Sequence, residues 1–195
     1  MARVIAGEAG GRRLAVPAGR DTRPTSDRAR EGLFATIASL TGPLRGSRVL
    51  DLYAGSGAVG LETLSRGAGH VLLVESAARA SRVIGANIKA LGLPGAELIT
   101  DRAERVLARG PAGGRYDIVF ADPPYALPGQ EVSRLLTDLT SRDWLAPGAL
   151  VIVERATRSG PVTWPDAIEA DRSRRYGEGT FWYGLARRVN MREQP

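Results

Sequence analysis

Short apolar runs alternate with longer amphipathic stretches along most of this chain. Five of the runs have the length and aliphatic content of buried strands, and a stretch with helical spacing follows each of the first four. The predicted strands span residues 48–52, 71–75, 97–101, 116–121 and 149–154, and the predicted helices span residues 59–66, 77–91, 103–109 and 132–139. Because strands that alternate with helices build βαβ units, this pattern predicts an α/β fold with a doubly wound, mostly parallel sheet.

Acidic residues stand at or just after the ends of four predicted strands. They are Asp51, Glu75, Asp101 and Asp122. Ligands of doubly wound sheets bind outside the carboxyl ends of the strands. We therefore expect these four carboxylates to meet at one edge of the sheet and to line a ligand site.

A glycine-rich loop, residues 54–60, follows the first predicted strand and matches G-x-G-x-x-G. Such glycines let the backbone turn tightly beside a ligand. The same spacing is the dinucleotide fingerprint, and Glu75 stands where a ribose-binding carboxylate is expected, so a nicotinamide cofactor is one alternative. Asp51, four residues ahead of Gly55, favours S-adenosylmethionine, because a carboxylate there would crowd a pyrophosphate but suits a cationic amino group.

The fourth predicted strand runs into Asp122-Pro123-Pro124-Tyr125. Each proline lacks an N–H and fixes φ, so the segment leaves the strand as a stiff turn with outward carbonyls. The Asp122 carboxylate and the Pro123 carbonyl could accept both N–H donors of an exocyclic amine, while the Tyr125 ring stacks on a planar base. The run predicts a site for methyl transfer to nitrogen; the alternative is a plain Pro-Pro turn. Asp122, with an ordinary pKa, would be a weak base, so water could take the released proton instead.

Positive charge is concentrated at the two ends of the chain. Residues 1–48 carry a net charge of +5, residues 49–171 a net charge of −3, and residues 172–195 a net charge of +4. Lys89 is the only lysine among 27 basic residues, and arginine binds phosphate through paired donors and stacks on bases. A GC-rich genome would explain the preference for arginine but not the segregation of charge, so the two ends predict contact with a nucleic-acid backbone.

The composition excludes several classes of protein. The chain has no cysteine and a single histidine, His70, which leaves no disulfide framework and no thiolate or histidine-cluster metal site. No apolar run approaches the roughly 18 residues of a membrane span, and the first residues lack the apolar core of a signal peptide. We expect one metal-free cytoplasmic domain with a modest appendage. In this domain Trp144 should pack in the core or against the sheet, and His70 should lie in a surface turn.

Two short β-like runs, residues 4–6 and 13–16, flank a glycine-rich turn and predict a basic N-terminal hairpin. Because isolated hairpins are marginal in water, it should pack on the domain or stay mobile until RNA binds; an alternative is that it extends the main sheet. The predicted nucleic-acid contacts are Arg3, Arg12, Arg13, Arg20, Arg28, Arg174 and Arg175.

Several motifs resemble those of known methyltransferases. The D-L-Y-A-G-S-G run at residues 51–57, Glu75 and the D-P-P-Y run resemble the class I S-adenosylmethionine-dependent methyltransferases. The runs at residues 3–7, 11–14, 22–31, 64–68 and 175–183 narrow the resemblance to the RsmD-type family. The resemblance covers nearly the whole chain, up to about Arg187. Because D-P-P-Y is shared with DNA amino-methyltransferases, the narrower resemblance rests mainly on the T-R-P-T block within residues 22–31.

This resemblance implies a Rossmann-like seven-stranded sheet and methyl transfer to the exocyclic N2 amine of one guanine in 16S ribosomal RNA. It implies a small-subunit particle as partner, and we expect a monomer. The implied cofactor-binding residues are Asp51, Tyr53, Ala54, Gly55, Ser56, Gly57, Glu75, Asp101, Arg102, Arg23, Pro24 and Thr25; the implied catalytic residues are Asp122, Pro123, Pro124 and Tyr125. Asp101 would suit the adenine amino group, or it could instead cap the helix that starts near Ala103.

The segment ahead of the first predicted strand is expected to reach the cofactor site and to form a helix. The resemblance places Arg23 and Pro24 over the cofactor site, and Thr25 or Ser26 could cap a helix over residues 27–40.

We expect three parts along the chain: a basic extension over residues 1–25, a methyltransferase domain over residues 26–190 and a tail over residues 191–195. The remaining alternatives are a DNA amino-methyltransferase acting on adenine N6 or cytosine, a nicotinamide-dependent oxidoreductase and a non-catalytic RNA-binding assembly factor.

Overall fold

The computed structural model describes residues 2–17 and 26–188, which form a small hairpin and a seven-stranded sheet flanked by helices. The strands are β1 (Ala2–Arg3), β2 (Arg13–Leu14), β3 (Arg48–Leu52), β4 (His70–Val74), β5 (Ala96–Ile99), β6 (Tyr116–Ala121), β7 (Leu145–Ala156), β8 (Ile168–Tyr176) and β9 (Gly179–Ala186). The helices are α1 (Asp27–Thr41), α2 (Ala58–Ser65), α3 (Ala78–Leu91), α4 (Ala103–Ala108) and α5 (Gly129–Ser141). Each predicted strand and helix of the domain is present, with bounds that differ by a few residues.

The order of strands in the main sheet is β5-β4-β3-β6-β7-β9-β8. The first five of these strands are parallel, whereas β9 pairs antiparallel with both β7 and β8. From β3 the chain winds outward through β4 to β5 and then crosses to β6 on the other side of β3. The carboxyl ends of β3 and β6 therefore lie side by side at a topological switch point, where doubly wound sheets bind ligands. This topology confirms the predicted fold class.

The central strands are buried on both faces, which explains their nearly continuous apolar sequence. One face packs against α1, α2, α3 and the hairpin, and the other packs against α4 and α5. Because side chains alternate along a strand, Asp51 points to the same face as Val49, toward α2. The strand pairings place Asp51 in one row with Phe120 and Ile152. An acid thus occupies a core position at the end of β3.

Two other predictions made for the domain hold, and a third does not. Ser26 caps α1, because its Oγ accepts a hydrogen bond from the backbone N–H of Ala29 at 3.2 Å. Trp144 is a core residue as predicted, and its indole N–H donates to the Leu107 carbonyl at 3.0 Å. The expectation that His70 lies in a surface turn was wrong, since it begins β4 and is partly buried.

The N-terminal hairpin forms its own two-stranded sheet and does not extend the main one. The predicted first strand, residues 4–6, was wrong: the ladder lies at Ala2–Arg3. The reason is that α2 binds backbone groups of residues 5 and 6. The Ile5 N–H donates to Glu62 Oε2 at 3.2 Å, and Ser65 Oγ donates to the Ala6 carbonyl at 2.6 Å. The hairpin is therefore docked on the domain.

A buried ion network reinforces this docking. Glu62 is fully buried on α2, and its carboxylate contacts Arg30 of α1 at 3.3 Å and Arg66 at 2.7 Å. The same carboxylate accepts the Ile5 N–H of the hairpin. Removing one member of such a network leaves an uncompensated buried charge, which typically costs several kcal/mol. One side chain thus joins α1, α2 and the hairpin.

We expect Gly7→Ala to destabilise the protein far more than Gly11→Ala. Both glycines have a left-handed φ, of +87° and +82°, so both variants carry the same backbone strain. A Cβ at Gly7 would stand 1.8 Å from the Ser65 carbonyl oxygen, whereas the space beside Gly11 is open. Urea unfolding should show an extra loss of at least about 2 kcal/mol in Gly7→Ala. Equal losses in the two variants would contradict the docking of the hairpin on α2.

Candidate active site

The glycine loop leaves β3 at the switch point and begins α2. Gly55 and Gly57 have φ values of +60° and +78°, in the left-handed region that glycine enters without penalty. Tyr53, at the start of the loop, has φ of 63°, which is uncommon for a residue with a side chain. Nothing lies within 4 Å of the place where a Gly55 Cβ would stand. The loop therefore leaves open space above the strand ends.

Asp51 is buried beneath this loop and ties it to the sheet. Its Oδ2 accepts a hydrogen bond from the Gly60 N–H at 2.9 Å. A Cβ at Gly60 would come within 2.9 Å of that oxygen and within 2.7 Å of Leu73, so the third glycine of the motif allows α2 to approach the strands. Burial, and with it the negative charge of Glu75, raises the pKa of Asp51 to about 7 against the lowering effect of the Gly60 N–H.

Glu75, just beyond β4, holds the other side of the loop. Its Oε2 accepts the Gly55 N–H at 2.9 Å and its Oε1 accepts the Ala77 N–H at 2.7 Å. A carboxylate oxygen has two lone pairs, so each oxygen can accept one more donor, such as a ribose hydroxyl. The Ala54 N–H, at the start of the loop, donates to the Val74 carbonyl of β4 at 2.9 Å. The structure thus brings Asp51, the glycine loop and Glu75 together, as predicted.

Asp101 lies beyond β5, and both of its oxygens already accept hydrogen bonds. They bind the backbone N–H of Arg102 at 2.8 Å and the guanidinium of Arg109 at 2.5 Å. The Arg102 N–H first, and the Arg109 guanidinium with it, lower the pKa of this carboxyl despite the opposing effect of burial. No side chain caps α4, so the alternative role of Asp101 as its cap was wrong. Tyr53 reaches the same helix, where its hydroxyl donates to Glu104 Oε1 at 3.1 Å.

The D-P-P-Y run begins the segment that we name the acceptor turn, residues 122–127. The Asp122 N–H donates to the Leu52 carbonyl of β3 at 3.3 Å, and the Leu127 N–H donates to the Pro124 carbonyl at 2.8 Å. The Tyr125 ring is 40% exposed, the only large hydrophobic side chain so exposed in the described part of the chain. A flat ring at the rim of a ligand site offers a surface on which a base can stack.

The protonation of Asp122 differs from the sequence-based expectation of an ordinary carboxylate. Burial raises its pKa well above the usual range, and the negative charges of Glu154 and Asp51 raise it further. An aspartate in this environment holds a proton more strongly than one in water. It is therefore a better proton acceptor than the sequence indicated.

Three residues near the site were not predicted. Glu154 and Arg155, at the end of β7, are buried, and the Arg155 guanidinium donates to the Leu127 carbonyl of the acceptor turn at 2.8 Å. Glu154 ends a predicted strand just as Asp51 does, so the strand-end rule could have included it. Asn87 of α3 donates to the Ser56 carbonyl at 2.9 Å and exchanges two hydrogen bonds with Ala15. Nothing in the sequence marks this residue.

The predicted nucleic-acid contacts have different surroundings. Arg13, Arg28, Arg174 and Arg175 are exposed, as is Arg3, which forms an ion pair with Asp27 at 3.0 Å. The Arg12 guanidinium instead donates to the carbonyls of Leu91 and Ala90 at the end of α3, so it is committed to docking the hairpin. Arg20, Arg23, Pro24 and Thr25 lie outside the described residues.

Residues 2–17 and 26–188 contain no group of three or more histidine, cysteine or acidic side chains arranged to hold a metal ion. In the same ranges no helix has the length and apolar character needed to cross a membrane.

The raised pKa of Asp51 predicts a pH-dependent effect of Asp51→Asn. Because the folded state holds this proton up to about pH 7 and the unfolded chain only to about pH 4, the group makes the wild-type protein less stable as pH rises through that window. Asparagine does not titrate, so the free energy of unfolding of the variant, relative to wild type, should rise between pH 4 and pH 8 by up to about 4 kcal/mol. Urea unfolding at several pH values tests this; a difference that stays constant between pH 4 and pH 8 would contradict it.

Comparison with known proteins gives consistent matches along the chain. The sequence model of a family described as conserved hypothetical protein 95 matches residues 2–184. The chain is 38% identical over 164 residues to ribosomal RNA small subunit methyltransferase D of Escherichia coli K12, covering 84% of this chain and 79% of that protein. It is 32% identical over 166 residues to the protein of the same name from Haemophilus influenzae, covering 84% and 83%.

Solved structures match the fold over nearly its full length. The Escherichia coli protein yhhF superposes with a TM-score of 0.83 and 32% identity, covering 95% of this chain and 97% of that one. A hypothetical protein of Thermus thermophilus superposes with a TM-score of 0.74 and 30% identity, covering 94% and 98%. These matches confirm the predicted family. The chain therefore belongs to the family of ribosomal RNA small subunit methyltransferase D and is a methyltransferase.

Proposed function

We propose that this enzyme transfers the methyl group of S-adenosylmethionine to the exocyclic N2 amine of a guanine in 16S ribosomal RNA. The observation that carries the proposal is the acceptor turn, where the carboxyl group of Asp122 and the exposed ring of Tyr125 flank a rigid proline pair. The names of the relatives support ribosomal RNA as the substrate class. The choice of guanine N2 rests on the T-R-P-T block, residues 22–25, which lies outside the described residues.

The groups around the glycine loop fit the cofactor. Asp51 would face its amino group, Glu75 would accept hydrogen bonds from the ribose hydroxyls, and Asp101 would use its remaining lone pairs for the adenine amine. The residues expected to line the cofactor between them are Tyr53, Ala54, Gly55, Ser56, Gly57 and Arg102. When bound, S-adenosylmethionine supplies an electrophilic methyl group on a positively charged sulfur.

Positioning of the amine is the main task of the acceptor turn. A guanine N2 amine is a poor nucleophile because its lone pair is delocalised into the ring. The Asp122 carboxylate and the Pro123 carbonyl would accept its two N–H bonds and direct the lone pair at the methyl group, and such alignment can supply several kcal/mol. The base must leave its stack, and stacking on Tyr125 would recover part of that cost. Asp122, whose pKa is raised, would then take the proton that the amine releases.

The exposed arginines would hold the RNA backbone. Arg3, Arg13 and Arg28 lie near the N-terminal end of the described chain, and Arg174 and Arg175 lie on β8, the edge strand of the sheet. Each guanidinium can bind a phosphate through two donors. In this proposal residues 1–25 contact RNA, residues 26–190 form the catalytic domain, and residues 191–195 are a tail. The enzyme would act as a cytoplasmic monomer, without a metal ion, on 16S ribosomal RNA within a small-subunit particle.

We expect Asp122→Ala to abolish methyl transfer while the affinity for S-adenosylmethionine stays within a few-fold of wild type. The reason is that Asp122 would orient the amine and take its proton, whereas Asp51 and Glu75 would hold the cofactor. Calorimetry gives the affinity, and transfer of tritiated methyl groups to ribosomal particles from an undermethylated strain gives the turnover. Asp166→Ala, at an exposed position, serves as control. Near-normal methylation by Asp122→Ala would overturn the assignment of the acceptor turn.

Mass spectrometry of modified nucleosides tests the substrate. Small-subunit particles and naked 16S ribosomal RNA from an undermethylated strain are incubated with enzyme and cofactor, then digested and mapped. We expect N2-methylguanosine at a single position in 16S ribosomal RNA. Methylated adenine or cytosine in duplex DNA, with unmodified RNA, would instead support a DNA amino-methyltransferase that uses the same turn.

A further inference from the structure

Glu154 is a buried acid at the end of β7 that has no part in the mechanism described above. We propose that it is a positioning residue of the acceptor site, whose negative charge strengthens Asp122 as the acceptor of the amine proton. The inference rests on the proposed function, because it assigns to Glu154 a role in the same transfer. It adds a second carboxylate to an acceptor site for which the D-P-P-Y run supplies only one.

The register of the sheet sets the two acids side by side. Strands β6 and β7 are parallel, and Ala121 pairs with Val153. The residues that follow this pair are Asp122 and Glu154. Since side chains alternate along strands, both follow the row of Phe120 and point to the face of the sheet toward which Asp51 also points.

A glycine on the neighbouring strand locates the Glu154 carboxylate beside the acceptor turn. A Cβ at Gly179 of β9 would stand 2.7 Å from Glu154 Oε1 and 3.3 Å from the Tyr125 hydroxyl oxygen. The carboxylate oxygen and the phenol oxygen therefore both lie beside Gly179, at the acceptor turn. Glu154 is 8% exposed, so water screens its charge only weakly.

The charges that act on Asp122 are all of one sign. Glu154 faces it from β7 and Asp51 faces it from β3, and both favour the protonated form of Asp122, in the same direction as burial. Tyr125, in the turn itself, lies beside the pair, and the Arg155 guanidinium reaches the same turn at the Leu127 carbonyl. Two carboxylates held together in a poorly hydrated site resist ionising at the same time, so the presence of one increases the proton affinity of the other.

Methyl transfer releases a proton from the amine, and this site accepts it. As the amine nitrogen bonds to the methyl carbon, the pair of electrons of the old carbon–sulfur bond remains on sulfur, and one N–H proton passes to an ionised oxygen of Asp122. The negative charge of Glu154 stabilises the product of that step, the neutral Asp122 carboxyl group. The same negative charge of Glu154 raises the pH at which Asp122 becomes ionised and able to accept a proton.

The titration of Asp122 in the free protein tests this without any turnover. The carboxyl ¹³C signals of aspartate-labelled protein are followed with pH, and the signal of Asp122 is assigned by its absence in Asp122→Asn. In Glu154→Gln we expect the proton affinity of Asp122 to fall by about tenfold, an apparent shift of about one pH unit. In Glu154→Asp, which keeps the charge on a shorter side chain, it should stay nearer to wild type. The exposed control Glu169→Gln should leave it unchanged.

The pH profile of kcat at saturating substrates gives the second readout. For Glu154→Gln the rising limb should move to lower pH, and the plateau should fall because a weaker base takes the proton less readily. An Asp122 midpoint that is the same in wild type and Glu154→Gln overturns the inference. If no RNA is methylated by the wild-type enzyme, the proposed function fails, while the carboxyl titration still decides whether Glu154 acts on Asp122.

Discussion

The hydrogen bond between Asp51 and the Gly60 N–H is the contact on which the arrangement of this site depends. It connects the end of β3 to the first turn of α2, and it forms only because the absence of a Cβ lets the helix lie against Asp51 and Leu73. That close approach fixes the path of the intervening loop. The carboxylate is therefore buried, and burial is the main reason that its pKa is raised to about 7. A packing requirement and an electrostatic property therefore have the same origin.

At the acceptor side of the site, burial and neighbouring acids likewise raise the pKa of a carboxyl group, that of Asp122. Asp122 sits one strand away, next to Glu154 and on the same face as Asp51. A parallel sheet directs the ends of its central strands to one place, so acids at those ends accumulate like charge. In most surroundings such repulsion only reduces stability. In the proposed function the same charge would favour binding of the cationic cofactor at Asp51 and acceptance of the amine proton at Asp122.

The sequence predicted the fold well because βαβ units repeat a simple apolar rhythm. The glycine loop and the strand-end acids were predictable for the same reason, since their positions follow from strand ends alone. Residues that depend on tertiary contacts were not. Nothing local tells that residues 5 and 6 give their backbone groups to α2, or that Arg12 caps α3 where an RNA contact was expected. The pKa of Asp122 was misjudged because its neighbours come from two other strands.

Asn87 connects the N-terminal extension to the glycine loop. Its side chain makes two hydrogen bonds to Ala15 and one to the Ser56 carbonyl, so a single amide spans the end of the hairpin and the glycine loop. An amide held by three partners has little rotational freedom. The extension is thus part of the scaffold that shapes the loop and cannot be treated as a detachable arm. Cutting it away would remove two of the three hydrogen bonds of a buried amide that also holds the glycine loop.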